Sequence, residues 1–300
     1  MAFKQVTIIG TGLIGGSLGL ALKQRHLAGR VVGCDRAPVL ERAHKVGAIE
    51  TGSTNPADAV RGSDLIVLAT PVIPILDMIA RLGPVLAPKT LVTDVGSTKA
   101  EVVEAAAKAF GRNAGQKFLA GHPMAGKENA GVEFADADLF KDAAWLFTPL
   151  PGQNVHAGLS GEFIHCAEKM GAKIAVLDPA DHDRLCAWIS HLPQMISTAL
   201  AATLVDEFGP DAPVLDIGGR ALREMTRISG SPYSMWRDIA ITNKNNIADV
   251  LQKLEQRLAH IRENLDSREL AAEFERAHQL RKSPPRRHGD TEKRNSLKKK

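Results

Sequence analysis

Over the first 180 residues, short apolar runs alternate with longer amphipathic stretches. "VTIIG" (6–10), "RVVGCD" (30–35), "DLIVLAT" (64–70), "TLVTDVG" (90–96), "KFLAG" (117–121), "AWLFTP" (144–149) and "KIAVLD" (173–178) have the length and β-branched content of buried strands. Between them, residues 13–26, 74–82, 98–110 and 155–170 carry apolar residues at helical spacing. Strands alternating with helices predict an α/β fold with a doubly wound, mostly parallel sheet. The texture changes after Pro179: from 180 to about 280 only helical periodicity remains, with a bend or break expected at Pro193. An all-helical second domain is predicted there.

The first strand ends in Gly10-Thr11-Gly12-Leu13-Ile14-Gly15, which also opens the first helix. A lone GxGxxG is a weak signal. Here a strand precedes it, a helix follows it, and an acid, Asp35, lies twenty residues beyond Gly15 at the end of the second strand. That context predicts dinucleotide binding, with Gly10 for the turn, Gly12 for backbone approach to a pyrophosphate and Gly15 for helix–strand packing. The helix N-terminus would face the phosphates. A carboxylate at 35 disfavours a 2′-phosphate and points to NAD, while the adjacent Arg36 leaves NADP open.

Ligands of doubly wound sheets gather beyond the carboxyl ends of the strands. Three loops should sit there: "TPV" (70–72, with Thr70 and Pro71 toward the cofactor), "DVGSTK" (94–99) and "GHPMAG" (121–126). Ser97 and His122 would then share one crevice. A hydroxyl and an imidazole beside a hydride acceptor fit oxidation of an alcohol, the base taking the hydroxyl proton as the hydride leaves.

Five separated segments, "GTGLIGGSLGLAL", "DVGSTK", "GHPMAGKENAG", "SHLPQ" and "MTRISGSPYSMWRDI", resemble the prephenate/arogenate (cyclohexadienyl) dehydrogenase family in order and character. The resemblance spans about residues 4 to 265. It implies a Rossmann-type dinucleotide-binding domain at 1–179, a helical substrate and dimerisation domain at 180–282, and a homodimer. It also implies NAD(P)-dependent oxidative decarboxylation of prephenate, or of arogenate, on the route to tyrosine. By the same resemblance His122 is the proton acceptor, and Ser97 holds the substrate hydroxyl and orients His122. His191 and Arg227 contact substrate, Arg227 through a carboxylate. Glu128 is a gating acid near the entrance. Gln194 stands where a second histidine is common, and Lys127 where a small hydroxyl residue is common. Lys127 is a candidate for the substrate's side-chain carboxylate. Rival readings are another two-domain hydroxyacid or imine dehydrogenase, and a non-catalytic NAD-binding sensor.

Charge and cysteine content narrow the partners. The last twenty residues hold nine Lys/Arg and two Asp/Glu, a charge of +7. The whole chain carries +4, so the first 280 residues sit at −3. The basic character belongs to residues 283–300 and their immediate approach, a polar, Pro-interrupted tail predicted to be disordered. Nucleic acid is therefore not an expected partner of the folded body. Cys34, Cys166 and Cys186 are scattered, so neither a disulfide framework nor a metal site is expected. No apolar run is long enough to span a membrane, and the N-terminus has no signal-peptide layout; a cytoplasmic protein is expected.

Overall fold

The computed structural model describes residues 2–83, 86–127, 129–210 and 217–282. Its framework is eight strands: β1 (Phe3–Ile9), β2 (Ala28–Cys34), β3 (Thr51–Ser53), β4 (Leu65–Leu68), β5 (Leu91–Asp94), β6 (Phe118–Pro123), β7 (Ala144–Thr148) and β8 (Lys173–Val176). They form one sheet in the order β3-β2-β1-β4-β5-β6-β7-β8. Every pairing is parallel except β6 with β7. All four residues of "LIVL" in β4 and of "LVTD" in β5 are buried, as both faces of a parallel sheet are covered by helices.

The period of two along each strand feeds two separate cores. Val6, Ile8, Leu65 and Val67 point to one face, where they pack with Leu18, Leu22, Trp145 and Phe163. Ile9, Ile66, Leu68 and Val92 point to the other, against Ile75, Ile79, Val102 and Phe118. The covering helices are α1 (Leu13–Gln24), α2 (Ala37–Lys45), α3 (Pro56–Ala59), α4 (Val72–Leu82), α5 (Ala100–Phe110), α6 (Ala114–Lys117) and α7 (Gly158–Lys169). The α2–β3–α3 stretch was not legible in the sequence. β3 is a three-residue edge strand, and α2 buries only Val39 and Ala43, too little apolar periodicity to read.

Helices α8 (Pro179–Cys186), α9 (Leu192–Phe208), α10 (Arg220–Thr226), α11 (Tyr233–Thr242), α12 (Lys244–Glu263) and α13 (Arg268–Lys282) follow. Asp178 starts α8: its carboxylate accepts from Ala180 N at 2.8 Å and Asp181 N at 3.4 Å, and Pro179 occupies the first turn. The break expected at Pro193 is instead a widened turn. Residues 187–191 form a π-helical segment that joins α8 to α9 without interruption. The wide turn absorbs the backbone donor that proline lacks and the crowding of its ring on the preceding turn.

The chain divides into two compact units, Met1–Ala248 and Asp249–Lys300. The first extends well past the change of texture at 179, because α8 and α11 bond to the ends of the strand-bearing half. The Asp183 carboxylate accepts from Lys99 N and Ala100 N at 2.7 and 2.9 Å. Asp238 accepts from Ile73 N at 3.1 Å, and Thr98 and Thr242 share a 2.7 Å hydroxyl bond. Within the second unit, Glu273 is held by Arg257 at 2.7 Å and Arg276 at 2.9 Å. No helix among the described residues is long and apolar enough to cross a membrane. The tail, 283–300, lies outside the described residues.

Candidate functional site

β1 has β2 on one side and β4 on the other, so the chain order reverses there, and a crevice opens beyond the carboxyl ends of β1, β4, β5 and β6. A cavity of about 610 Å³ occupies it. Gly12, Thr70, Ser97 and His122 line it from the strand-bearing half, and Ser190 and Trp236 from the helical half.

The glycine turn fits a dinucleotide. Gly10 has φ +94°, a left-handed conformation that favours glycine, and a Cβ there would lie 2.6 Å from Ala69 C and O. A Cβ on Gly15 would lie 2.0 Å from Gly10 O, so the close helix–strand contact also requires glycine. Gly12 differs: a Cβ would meet nothing within 4 Å, because the turn faces the open cavity. Gly12 caps α1 with no side-chain hydrogen bond, which leaves the first-turn N–H groups and the positive end of the helix dipole turned to the crevice. Leu13, Ile14, Thr70 and Pro71 line the same cavity. Asp35 sits at the carboxyl end of β2 and accepts from Thr11 N and Arg36 N, both at 2.8 Å, which fixes its carboxylate beside the turn. Arg36 is exposed.

His122 is the next-to-last residue of β6, where it pairs with Leu146 of β7, and is 7% exposed. The residue before it is clamped by a fully buried ion pair. Asp94, ending β5, is bonded to Lys99 Nζ. Asp94 Oδ1 accepts from Gly121 N at 3.2 Å, and Lys99 Nζ donates to Gly121 O at 2.9 Å. Both backbone groups of Gly121 are thereby held, and its missing Cβ lets Trp145 Nε1 and Asp94 O approach. Burial pushes the Asp94 carboxyl up and the Lys99 ammonium down, and each charge opposes the shift of the other.

Behind the imidazole lies a second one. His122 Nδ1 and His182 Nε2 are 2.9 Å apart, and His182 Nδ1 is 2.8 Å from Asp183 Oδ1. Cys186 Sγ lies 3.5 Å from His182 Nε2 and 3.9 Å from His122 Nδ1. Three ligand-type atoms thus fall within 4.8 Å of one another. Two nitrogens on one zinc-like ion would stand roughly 3.3 Å apart, given bonds of about 2.0–2.1 Å at tetrahedral angles. The 2.9 Å spacing is that of a hydrogen bond. Burial holds Cys186 as a neutral thiol, its pKa pushed up to about 12. His122 is held well below the usual imidazole range, first by burial and then by the charges of His182, Lys99 and His191. At neutral pH it is in the base form.

The other predicted residues divide. Ser97 lines the cavity. No hydrogen bond joins it to His122, whose Nδ1 is instead 2.9 Å from His182 Nε2. His191 lies behind the wall. It is fully buried and off the cavity wall, its Nδ1 is 3.2 Å from Asn243 Nδ2, and its ring stands edge-on to Trp236. Burial lowers its pKa to about 4. The wide turn at 187–191 presents Ser190 to the cavity in its place. Lys127 is on the wall, but its ammonium binds Phe134 O at 3.0 Å and Asp136 Oδ2 at 3.3 Å. Arg227 is exposed at the start of the short turn 227–230, which leads to Ser231 and Pro232 on the wall. Gln194 is buried and donates to Ile228 O at 2.9 Å and Thr198 Oγ1 at 3.1 Å. Glu128 lies outside the described residues.

Sequence reasoning missed Asp94, Lys99, His182, Asp183 and Cys186. "DVGSTK" contains the first two at its ends, and "DPADHDRLC" sets a histidine between acids just inside a helix start. Neither stretch has a spacing that marks it alone; the fold brings them together.

Residues 18–176 match the family model for the prephenate dehydrogenase nucleotide-binding domain, and residues 178–279 match the one for the prephenate dehydrogenase dimerization domain. The chain belongs to the prephenate dehydrogenase family. It is 31% identical over 277 residues to a prephenate dehydrogenase of Lactococcus lactis subsp. cremoris, covering 90% of this chain and 73% of that one. The crystal structure of prephenate dehydrogenase from A. aeolicus, in complex with hydroxyphenyl propionate and NAD+, superposes with a TM-score of 0.80 at 29% identity, covering 93% of this chain and 95% of that one. Synechocystis arogenate dehydrogenase gives 0.73 at 28% identity, covering 92% and 98%. The relatives of this prephenate dehydrogenase family member thus carry both substrate names.

Proposed function

We propose that this chain is an NAD-dependent dehydrogenase that oxidatively decarboxylates prephenate, with arogenate as the alternative substrate. The observation that carries the reading is a base-form imidazole, His122, on the wall of the same cavity as an uncapped glycine-turn helix start. Gly10, Gly12 and Gly15, with Asp35 beside the turn and Thr70 and Pro71 on the cavity wall, would hold NAD, which would supply the hydride acceptor. His122 takes the substrate hydroxyl proton, and Ser97 holds that hydroxyl. Loss of carbon dioxide then makes the ring aromatic. Ser190 offers a further polar contact, and Arg227 pairs with a substrate carboxylate. Rates with prephenate and arogenate, each with NAD and NADP, test the reading. No reduced cofactor formed with either acid would sink it.

Three expectations accompany it. Asp35→Ser should improve the use of NADP, since it removes a carboxylate that repels a 2′-phosphate; an unmodified protein that already prefers NADP would contradict the role given to Asp35. Arg227→Ala should raise KM for the acid by the equivalent of about 2–5 kcal/mol if the ion pair is desolvated, and leave NAD affinity nearly unchanged. Equal losses for both ligands would count against it.

The third expectation is a homodimer through the helical region, the part matching the dimerization model. Phe208, Met225 and Ile241 in the first unit are each at least half exposed in a single chain, as are Leu258, Leu265 and Phe274 in the second. Apolar side chains in such number mark an interaction surface. Sedimentation at micromolar concentration should give twice the chain mass; a monomer would refute it.

A further inference from the structure

We propose that His182 and Asp183 are positioning residues for His122: the buried chain Asp183–His182–His122 fixes the His122 proton on Nδ1, presents a bare Nε2 to the cavity, and stabilises the positive charge that arrives with the substrate proton. The source of that proton rests on the reading above, but the hydrogen-bond logic does not.

The direction of the chain follows from its acceptors. Asp183 Oδ1 already accepts from Lys99 N at 2.7 Å, and Oδ2 from Ala100 N at 2.9 Å. Both donors belong to the first residues of α5, where the helix dipole favours a negative charge. A carboxylate in that place only accepts, so His182 Nδ1, 2.8 Å away, must carry a proton. In neutral imidazole the other nitrogen is then bare. His182 Nε2 therefore accepts, and its partner at 2.9 Å, His122 Nδ1, must donate. The Cys186 thiol is compatible with this: protonated and 3.5 Å from the same Nε2, it can donate weakly to it. One proton on His122 is thus placed at Nδ1. Nε2, which makes no hydrogen bond to any described residue, keeps its lone pair for the cavity.

Bound NAD would accept the substrate C–H electron pair as hydride. The O–H bond breaks, and its proton forms an N–H bond at His122 Nε2. His122 becomes an imidazolium whose Nδ1–H already points at a bare nitrogen backed by a carboxylate. Without that partner the charge would arise in a buried site that penalises it. The groups around His182 are His122, Asp183, Cys186, Lys99, Asp94 and His191. At His182, Lys99 opposes a positive charge and Asp183 and Asp94 favour it; at His122, Lys99 and any charge on His182 or His191 oppose it, so the support reaches His122 through the hydrogen bond to His182.

The test uses the full chain with ¹⁵N-labelled histidine. Nitrogen chemical shifts separate protonated from bare ring nitrogens, and His122→Asn identifies the His122 signals. The expected result is a protonated Nδ1 and a bare Nε2. His182→Phe removes the acceptor and should lower kcat about 10–100-fold, the usual effect of losing a supporting hydrogen-bond partner, with NAD affinity retained as proof of folding. His182→Gln still offers an oxygen to Nδ1–H and should recover most of that loss. A bare Nδ1 in the unmodified protein overturns the proposal. So does wild-type turnover in His182→Phe, or a His182→Gln variant as impaired as His182→Phe, which would mean that packing alone is at stake. If the protein oxidises neither acid, the functional reading fails, and the nitrogen shifts alone decide this proposal.

Discussion

Replacing His122 by asparagine is expected to lower turnover by about 10²–10⁴, the usual worth of a positioned base, while leaving the fold and both binding steps nearly intact. Asparagine is close in size and can still bond toward His182, but it cannot take a proton. The pH profile separates this loss from a packing defect. Only the neutral imidazole accepts the substrate proton, so kcat/KM should be flat above the His122 pKa and fall as pH drops through it. Burial, with His182, Lys99 and His191 nearby, holds that pKa well below the ordinary value of 6.5. The acidic limb should therefore lie below the usual histidine range, and rates should hold as pH falls from 8 to 6. In His122→Asn the limb should vanish with the base. A variant that keeps near-normal turnover and the same limb would make His122 a loop histidine and send the search for a base elsewhere in the cavity.

The parts of this design that were legible in the sequence are those in which one short segment does a whole job. "VTIIG" followed by GxGxxG predicts a strand, a turn and a helix start, because the glycine requirements at 10 and 15 come from contacts between near neighbours in sequence. His122 stood out because a histidine between Gly121 and Pro123 at a strand end has few structural uses. The network behind it was illegible for the opposite reason. His122 meets His182 across sixty residues, and Asp183 caps a helix that starts eighty-three residues earlier. Each of those residues looks ordinary in its own segment: "PADHDRLC" reads as a polar helix start, and Lys99 as a charge before a helix. Their burial follows from docking α8 onto the end of β5 and the start of α5, which no local period records. The same limit hid how the helix start at 187–191 is turned: the wide turn ahead of Pro193 sets the face, so Ser190 meets the cavity and His191 is buried behind it.

That buried histidine set carries a second large effect, on stability. His122, His182 and His191 all have pKa values lowered by burial, His191 to about 4. In the unfolded chain each titrates near 6.5. Below that pH the unfolded chain binds protons that the folded one refuses, so folding stability must fall as pH falls. The stability is fully present above about 6.5, and each group's share is lost progressively until its folded pKa is reached. Each group contributes at most about 1.4 kcal/mol per pH unit, reached where its unfolded form is protonated and its folded form is not, and the three act in the same direction. A domain's whole stability is only about 5–15 kcal/mol, so urea midpoints at fixed protein concentration should drop steeply between pH 6.5 and 5.5, before most carboxylates titrate. His191→Gln isolates one member that the reaction does not use. The substitution will shift stability at every pH through lost packing against Trp236, but glutamine has no proton to bind. The slope between pH 6.5 and 5.5 should therefore flatten by about 1 kcal/mol per unit relative to the unmodified protein. An unchanged slope would mean that His191 titrates alike in the folded and unfolded chain, and that its ring is reached by water rather than sealed behind the cavity wall.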